Sequence, residues 1–151
     1  ELRLTAVQSL SCWGAEVPEA IVTHCLHHPG QSYRLAGLQL LEFRSHLLTD
    51  HQLLDYCNEA LNDFRDSVVI AAVRIIQRRD SKEICKQLFC LCQEDSDEVA
   101  FTALRALSCI ASENSKRYLL KLSKTLKSES RRLLAQKKLT QAQLVVFYFL
   151  C

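Results

Sequence analysis

The sequence predicts an all-α fold of stacked helix pairs. Three observations predict it: an apolar stripe around a small residue that returns every thirty-odd positions, an apolar segment upstream of each return, and few helix breakers. The chain holds three glycines and two prolines in 151 residues. Little Gly and Pro with much Leu, Ala and Lys suits helices joined by short turns. No apolar and polar alternation bounded by turns, the mark of a strand, is evident.

The clearest copy of the stripe is Asp97–Leu107. Val99, Ala103, Leu104 and Leu107 fall at i, i+4, i+5 and i+8, one side of a helix. The pattern recurs as Leu2, Ala6, Val7, Leu10; as Tyr33, Gly37, Leu38, Leu41; and as Val68, Ala72, Val73, Ile76. A weaker fifth copy is Arg131, Ala135, Gln136, Leu139. The small residue therefore steps by 31, 35, 31 and 32 positions. A small side chain in an apolar stripe lets a second helix come close. Eleven residues upstream stand Leu26, Leu61 and Cys92, and near the last copy Leu122 and Leu126. Each unit thus reads as helix A, a short turn, then helix B with the small residue.

In chain order, helix B1 covers about 2–13 and stops at Gly14, a residue that tolerates the left-handed turn of a helix end. Pro18 suits the first turn of A2, which reaches about His28. Pro29–Gly30 turns the chain into B2, about 32–47. Thr49 with Gln52 is a capping box that opens A3, which ends near Asn62. Asp66 caps B3, which ends near Arg79. Ser81 begins A4, which ends near Gln93. Ser96 or Asp97 caps B4, through about Ala111. Asn114 or Ser115 begins A5, and B5 covers 129–139. Thr140 with Gln143 reads as a second capping box that opens a last helix.

These residues resemble the HEAT and HEAT-like (PBS-lyase-type) repeat family. The resemblance is carried by the turn acids Asp66 and Asp97, the aliphatics Val68 and Val99, and the pairs Ala72–Val73 and Ala103–Leu104. It spans nearly the whole chain, departing at Gly37 and in the lack of a proline in the A helices. It implies a right-handed α-solenoid of about five antiparallel helix pairs, with the B helices lining a concave surface. The expectation is one domain over 1–151, a fragment of a longer array: the chain starts inside a B-helix pattern and has no Met. A repeat without its A helix leaves an apolar flank for preceding sequence or a neighbour to cover.

The family also has enzymatic members, whose signatures this sequence lacks. The diiron hydroxylases carry His-Glu pairs, and no His here precedes Glu. The alkylpurine DNA glycosylases place aromatics in a basic concave cleft, whereas the sole Trp, Trp13, is far from the basic half. His24, His27 and His28 end a helix, where imidazoles meet free carbonyls. Cys85, Cys90, Cys92 and Cys109 lack the paired spacing of a zinc ribbon. His51 and Asp55 lie one turn apart with no nucleophile assignable to them. The expectation is no catalysis, no cofactor and no metal.

Charge divides the chain. Residues 1–75 hold five Lys/Arg against nine Asp/Glu, net −4, and residues 76–151 hold fourteen against eight, net +6. Such asymmetry points to an acidic partner. One position after the stripe pair, the copies read Gln8, Gln39, Arg74, Arg105, Lys137. On the implied concave face they form a ladder, cationic at one end and flanked by Arg78 and Lys138. A second basic face lies on A5, with Arg117, Lys121 and Lys124 on one side and Arg131 and Arg132 beyond. The functional expectation is a protein-interaction scaffold or adaptor for an acidic, helical or extended partner. The alternative is a nucleic-acid-binding module using the same basic half.

Eight cysteines, five of them (Cys25, Cys57, Cys85, Cys92, Cys109) in helical stripes, read as free thiols in a reducing cytoplasm. The apolar run 144–151 is far short of the about 20 residues a membrane span needs. It is expected to pack as a further A helix.

Overall fold

The computed structural model describes the backbone of residues 3–150 and the side chains of residues 3–144. Among these every regular element is helical and no strand occurs. The chain forms two compact units, Glu1–Ile75 and Ile76–Cys151.

In the first unit α1 (Leu4–Ser9) tightens into a 3-10 segment (Leu10–Glu16), shorter as an α-helix than the expected B1. Gly14 breaks that segment with φ 57° and ψ −129°, a conformation open to glycine but not the left-handed helical cap its position predicts. Pro18 stands just before α2 (Glu19–Leu26), and its extended ψ of 135° places it at the cap rather than in the first turn. α3 (Gln31–Arg44) ends in a 3-10 turn, Ser45–Leu47. Thr49 accepts from the Gln52 amide and Gln52 answers, so the expected capping box opens α4 (Asp50–Leu61). α5 (Asp66–Ile76) runs to the boundary of the unit.

α2 packs on α3 and α4, and α1 packs on α3. Gly37 of α3 explains the closeness of the first contact. A Cβ built there would lie 2.9 Å from the Cys25 Cβ and 3.0 Å from the Leu26 backbone nitrogen. The fully buried Leu38, Leu41, Leu53 and Val22 fill the space around this approach. Each contributes about 1.5–3 kcal/mol of burial. Tyr56 of α4 donates its hydroxyl to Glu19 of α2 at the rim.

In the second unit Ser81 caps α6 (Lys82–Leu91) and Ser96 caps α7 (Asp97–Ile110). Ser112, rather than Asn114 or Ser115, caps α8 (Glu113–Thr125), its hydroxyl accepting from the Ser115 amide. α9 (Glu129–Leu150) is continuous, so the second capping box does not form. Thr140 instead donates its hydroxyl to the Gln136 carbonyl within the helix. A box needs the free amides of a helix start, and here those amides are already used.

α6 packs on α7 and α8 on α9; α6 also meets α8, and α7 meets both α8 and α9. The fully buried Ile84, Leu88, Leu104, Leu107, Leu119 and Leu122 form the core. The small residues Gly37, Ala72, Ala103 and Ala135 are all buried, and Ala6 is exposed. Among the described residues no helix is long and apolar enough to cross a membrane. The packing of 145–151 lies outside the described side chains, as does Leu2 of the first copy.

Candidate functional site

The cations the sequence singles out divide into structural and exposed ones, and their hydrogen bonds decide which. Arg131, counted with the basic face, is a structural clamp. Its side chain is 10% exposed. Nε bonds Asp97 at 2.7 Å, Nη1 donates to the Glu94 carbonyl at 2.6 Å and Nη2 to the Asp95 carbonyl at 2.8 Å. The guanidinium thus ties the start of α9 to the α6–α7 turn. A buried charge must be paired this way, and Arg supplies the planar fork of donors that it takes. Arg132 is half-buried and donates to the Leu126 and Lys127 carbonyls at 2.8 and 3.2 Å. Both lose their place among the partner-facing residues.

The first unit has a parallel device. The Asp63 side chain is 1% exposed and accepts from Arg65 Nε at 2.8 Å and Arg34 Nη1 at 2.9 Å. Arg34 also donates to the His28 carbonyl and Arg65 to the Pro29 carbonyl, so the α2–α3 and α4–α5 turns are tied. The hydrogen bonds and charge of Arg65, with the charge of Arg34, hold the Asp63 carboxyl below its ordinary value against the opposing effect of burial. A cleft of about 540 Å³ opens beside this network, with the exposed Phe64 at its edge.

Five further basic residues of the second unit face solvent on two helices. Arg117, Lys121 and Lys124 are exposed on α8, and Lys82 and Lys86 are exposed on α6. Spacings of i, i+4 and i+7 put each set on one helix side: 117, 121 and 124 on α8, and 82, 86 and Phe89 on α6. The two sides meet where Phe89 lies 4.9 Å from Tyr118, ring centre to ring centre, and Lys121 Nζ stands 5.1 Å from the centre of the Phe89 ring. Lys116 is drawn to Glu113 at 3.4 Å. Among the described residues the other five cations take no ion pair.

Of the expected ladder, Arg105 on α7 and Lys137 on α9 lie in this unit, both exposed, on helices in contact. The Lys138 amine donates to Gln141 at 2.7 Å. Arg78 is exposed ahead of α6, and Arg74 is exposed on α5 in the first unit. The Phe89–Tyr118 pair escaped sequence reasoning, because its members stand 29 residues apart and only the packing of α6 on α8 joins them.

His28 stacks on Tyr33 with ring centres 4.0 Å apart and its Nδ1 accepts from the Gly30 amide. His27 pairs with Glu59 at 2.8 Å. Among the described residues no three His, Cys, Asp or Glu side chains are placed to hold a metal ion. Cys25, Cys57, Cys85 and Cys92 are buried free thiols. Burial pushes the Cys57 thiol up to about 12 and raises the Cys92 thiol as well. Cys109, expected in a buried stripe, is exposed, as are Cys12 and Cys90. Compared with protein-family models and with curated proteins, the chain returns no match.

Proposed function

We propose that this chain is a non-catalytic interaction module of HEAT-like helix pairs that binds an acidic protein partner through its C-terminal half. The observation that carries the reading is uncompensated charge. Arg117, Lys121 and Lys124 stand exposed on α8 with no ion pair among the described residues, while Glu113 is already drawn to Lys116. A cationic surface held on a packed scaffold raises the encounter rate with an acidic partner and fixes its register.

The contacts within each unit support the repeat part of the reading. α6 lies beside α8 and α7 beside α9, and likewise α2 beside α4 and α1 beside α3. That is the neighbour pattern of successive A and B helices, and a right-handed solenoid is the arrangement we propose for it. Such a stack presents residues of successive repeats to an extended or helical partner. A cytoplasmic setting, which keeps the exposed thiols reduced, belongs to the same proposal.

The second reading, a nucleic-acid-binding module, draws on the same cations. For a single strand it is disfavoured by the small number of aromatics: Phe89 and Tyr118 form one ring pair beside these cations, whereas stacking a strand takes a succession of rings. Titration of the chain with a labelled poly-glutamate peptide and with a random DNA duplex, at low and at physiological salt, separates the two. The proposal predicts saturable peptide binding that weakens as salt shortens the screening length to about 8 Å. Duplex binding tighter than peptide binding, with a steep salt slope, would transfer the assignment to the second reading. No binding of either at low salt would remove both.

A further inference from the structure

We infer that the docking surface is the face shared by α6 and α8, rather than the Arg105–Lys137 ladder of α7 and α9, and that its occupant is an acidic helical segment. The inference rests on the proposed function and adds the place and the shape of the partner.

Three observations carry it. The first is charge. Lys82, Lys86, Arg117, Lys121 and Lys124 are exposed on these two helices, and none has an ion pair among the described residues. The ladder offers two exposed rungs within this unit, Arg105 and Lys137, beside the flanking Arg78 and a half-buried Lys138 that already bonds Gln141. The second is the floor. The Phe89–Tyr118 pair joins the two helices at half-buried rings and gives an apolar contact beneath the cations. An amphipathic helix in a groove uses that combination, an apolar anchor with charges alongside.

The third is spacing. Along the axis of α8, Arg117 to Lys121 is roughly 6 Å and Lys121 to Lys124 roughly 4.5 Å at 1.5 Å per residue. Acidic side chains at i, i+4 and i+7 of a partner helix repeat at those same intervals. An extended strand presents same-side residues at a uniform interval of roughly 6.6 Å, which fits the first gap and not the second.

The test uses the full chain, a labelled helical peptide of roughly 20 residues, about 30 Å long, with Glu at i, i+4 and i+7, and a single-stranded DNA of matched charge. One variant reverses the face (Lys86→Glu, Arg117→Glu, Lys121→Glu) and another the ladder (Arg105→Glu, Lys137→Glu). All five positions are exposed, and circular dichroism checks that both variants keep their helices. Losses at separate rim charges multiply, so the face variant should bind the peptide about tenfold more weakly or worse and the ladder variant within about twofold of the parent. Ladder reversal abolishing binding while face reversal spares it would overturn this inference and leave the proposed function standing. A parent chain that binds no acidic peptide would take the proposed function down with it. Tighter binding of the DNA strand, lost in the face variant, would keep the surface but overturn the occupant.

Discussion

Replacement of Gly37 by alanine sets two forces against each other with opposite signs. Gly37 lies in the middle of α3 with no positive φ, so helix propensity alone favours alanine by about 1 kcal/mol. Packing opposes it. The new Cβ would sit 2.9 Å from the Cys25 Cβ, 3.0 Å from the Leu26 nitrogen and 3.1 Å from the Cys25 carbonyl carbon. Comfortable carbon contacts lie at about 3.5–4.0 Å. Two of the three neighbours are backbone atoms, which no rotamer change can move aside, so α2 itself must retreat from α3. Overpacking of this kind costs about 1–3 kcal/mol, and the immobile neighbours put it at the upper end. The net expectation is a loss of about 1–2 kcal/mol, or a fall in Tm of about 2–8 °C for a chain of this size. Thermal and urea unfolding followed by circular dichroism measure it. A Gly37→Ala variant more stable than the parent would refute the claim that small residues here exist to admit a neighbouring helix.

Ala111 closes α7 with φ 53° and is the one non-glycine residue with positive φ among the described residues. Ala111→Gly should therefore raise stability by up to about 1 kcal/mol in urea titration, glycine carrying no left-handed penalty. Arg131→Met should lower it by about 2–3 kcal/mol, because Asp97 and the Glu94 and Asp95 carbonyls lose their donor, and Arg131→Lys should restore little for want of the planar fork. The Asp63 carboxyl is held below its unfolded value of about 3.9, so the folded state binds fewer protons there. Its stabilisation is full above that value and is lost as pH falls through the lower folded value. Asp63→Asn should accordingly lower stability at neutral pH by about 2 kcal/mol and flatten the acid loss, as read from Tm between pH 2 and 7.

Much of the fold could be read from local spacing. The stripe Val99, Ala103, Leu104, Leu107 is buried as its period requires, and Thr49, Ser81 and Ser96 cap the helices they precede. A cap and a period are both written within a few residues, so one window holds the signal. The failures share the opposite property. Thr140–Gln143 has the letters of a capping box, but α9 continues through it, and only the surrounding backbone decides whether amides are free. Arg131 reads as one more surface cation until its reach to Asp97, 34 residues back, is known. Its burial also explains why a charged residue occupies the first stripe position of the fifth copy, where Val68 and Val99 stand in others. The joining of Lys82, Lys86 and Phe89 with the basic side of α8 depends on α6 lying beside α8. Charge and composition announced a basic half; which cations remain open to a partner was fixed by tertiary contacts.

Amide chemical-shift mapping is the most direct measurement of the central claim. The isotope-labelled chain would be titrated with the acidic helical peptide at low salt. Perturbations should concentrate on Lys82, Lys86, Phe89, Arg117, Tyr118, Lys121 and Lys124 and fade as salt is added. Perturbations confined to α7 and α9, or spread through the acidic residues 1–75, would contradict that claim.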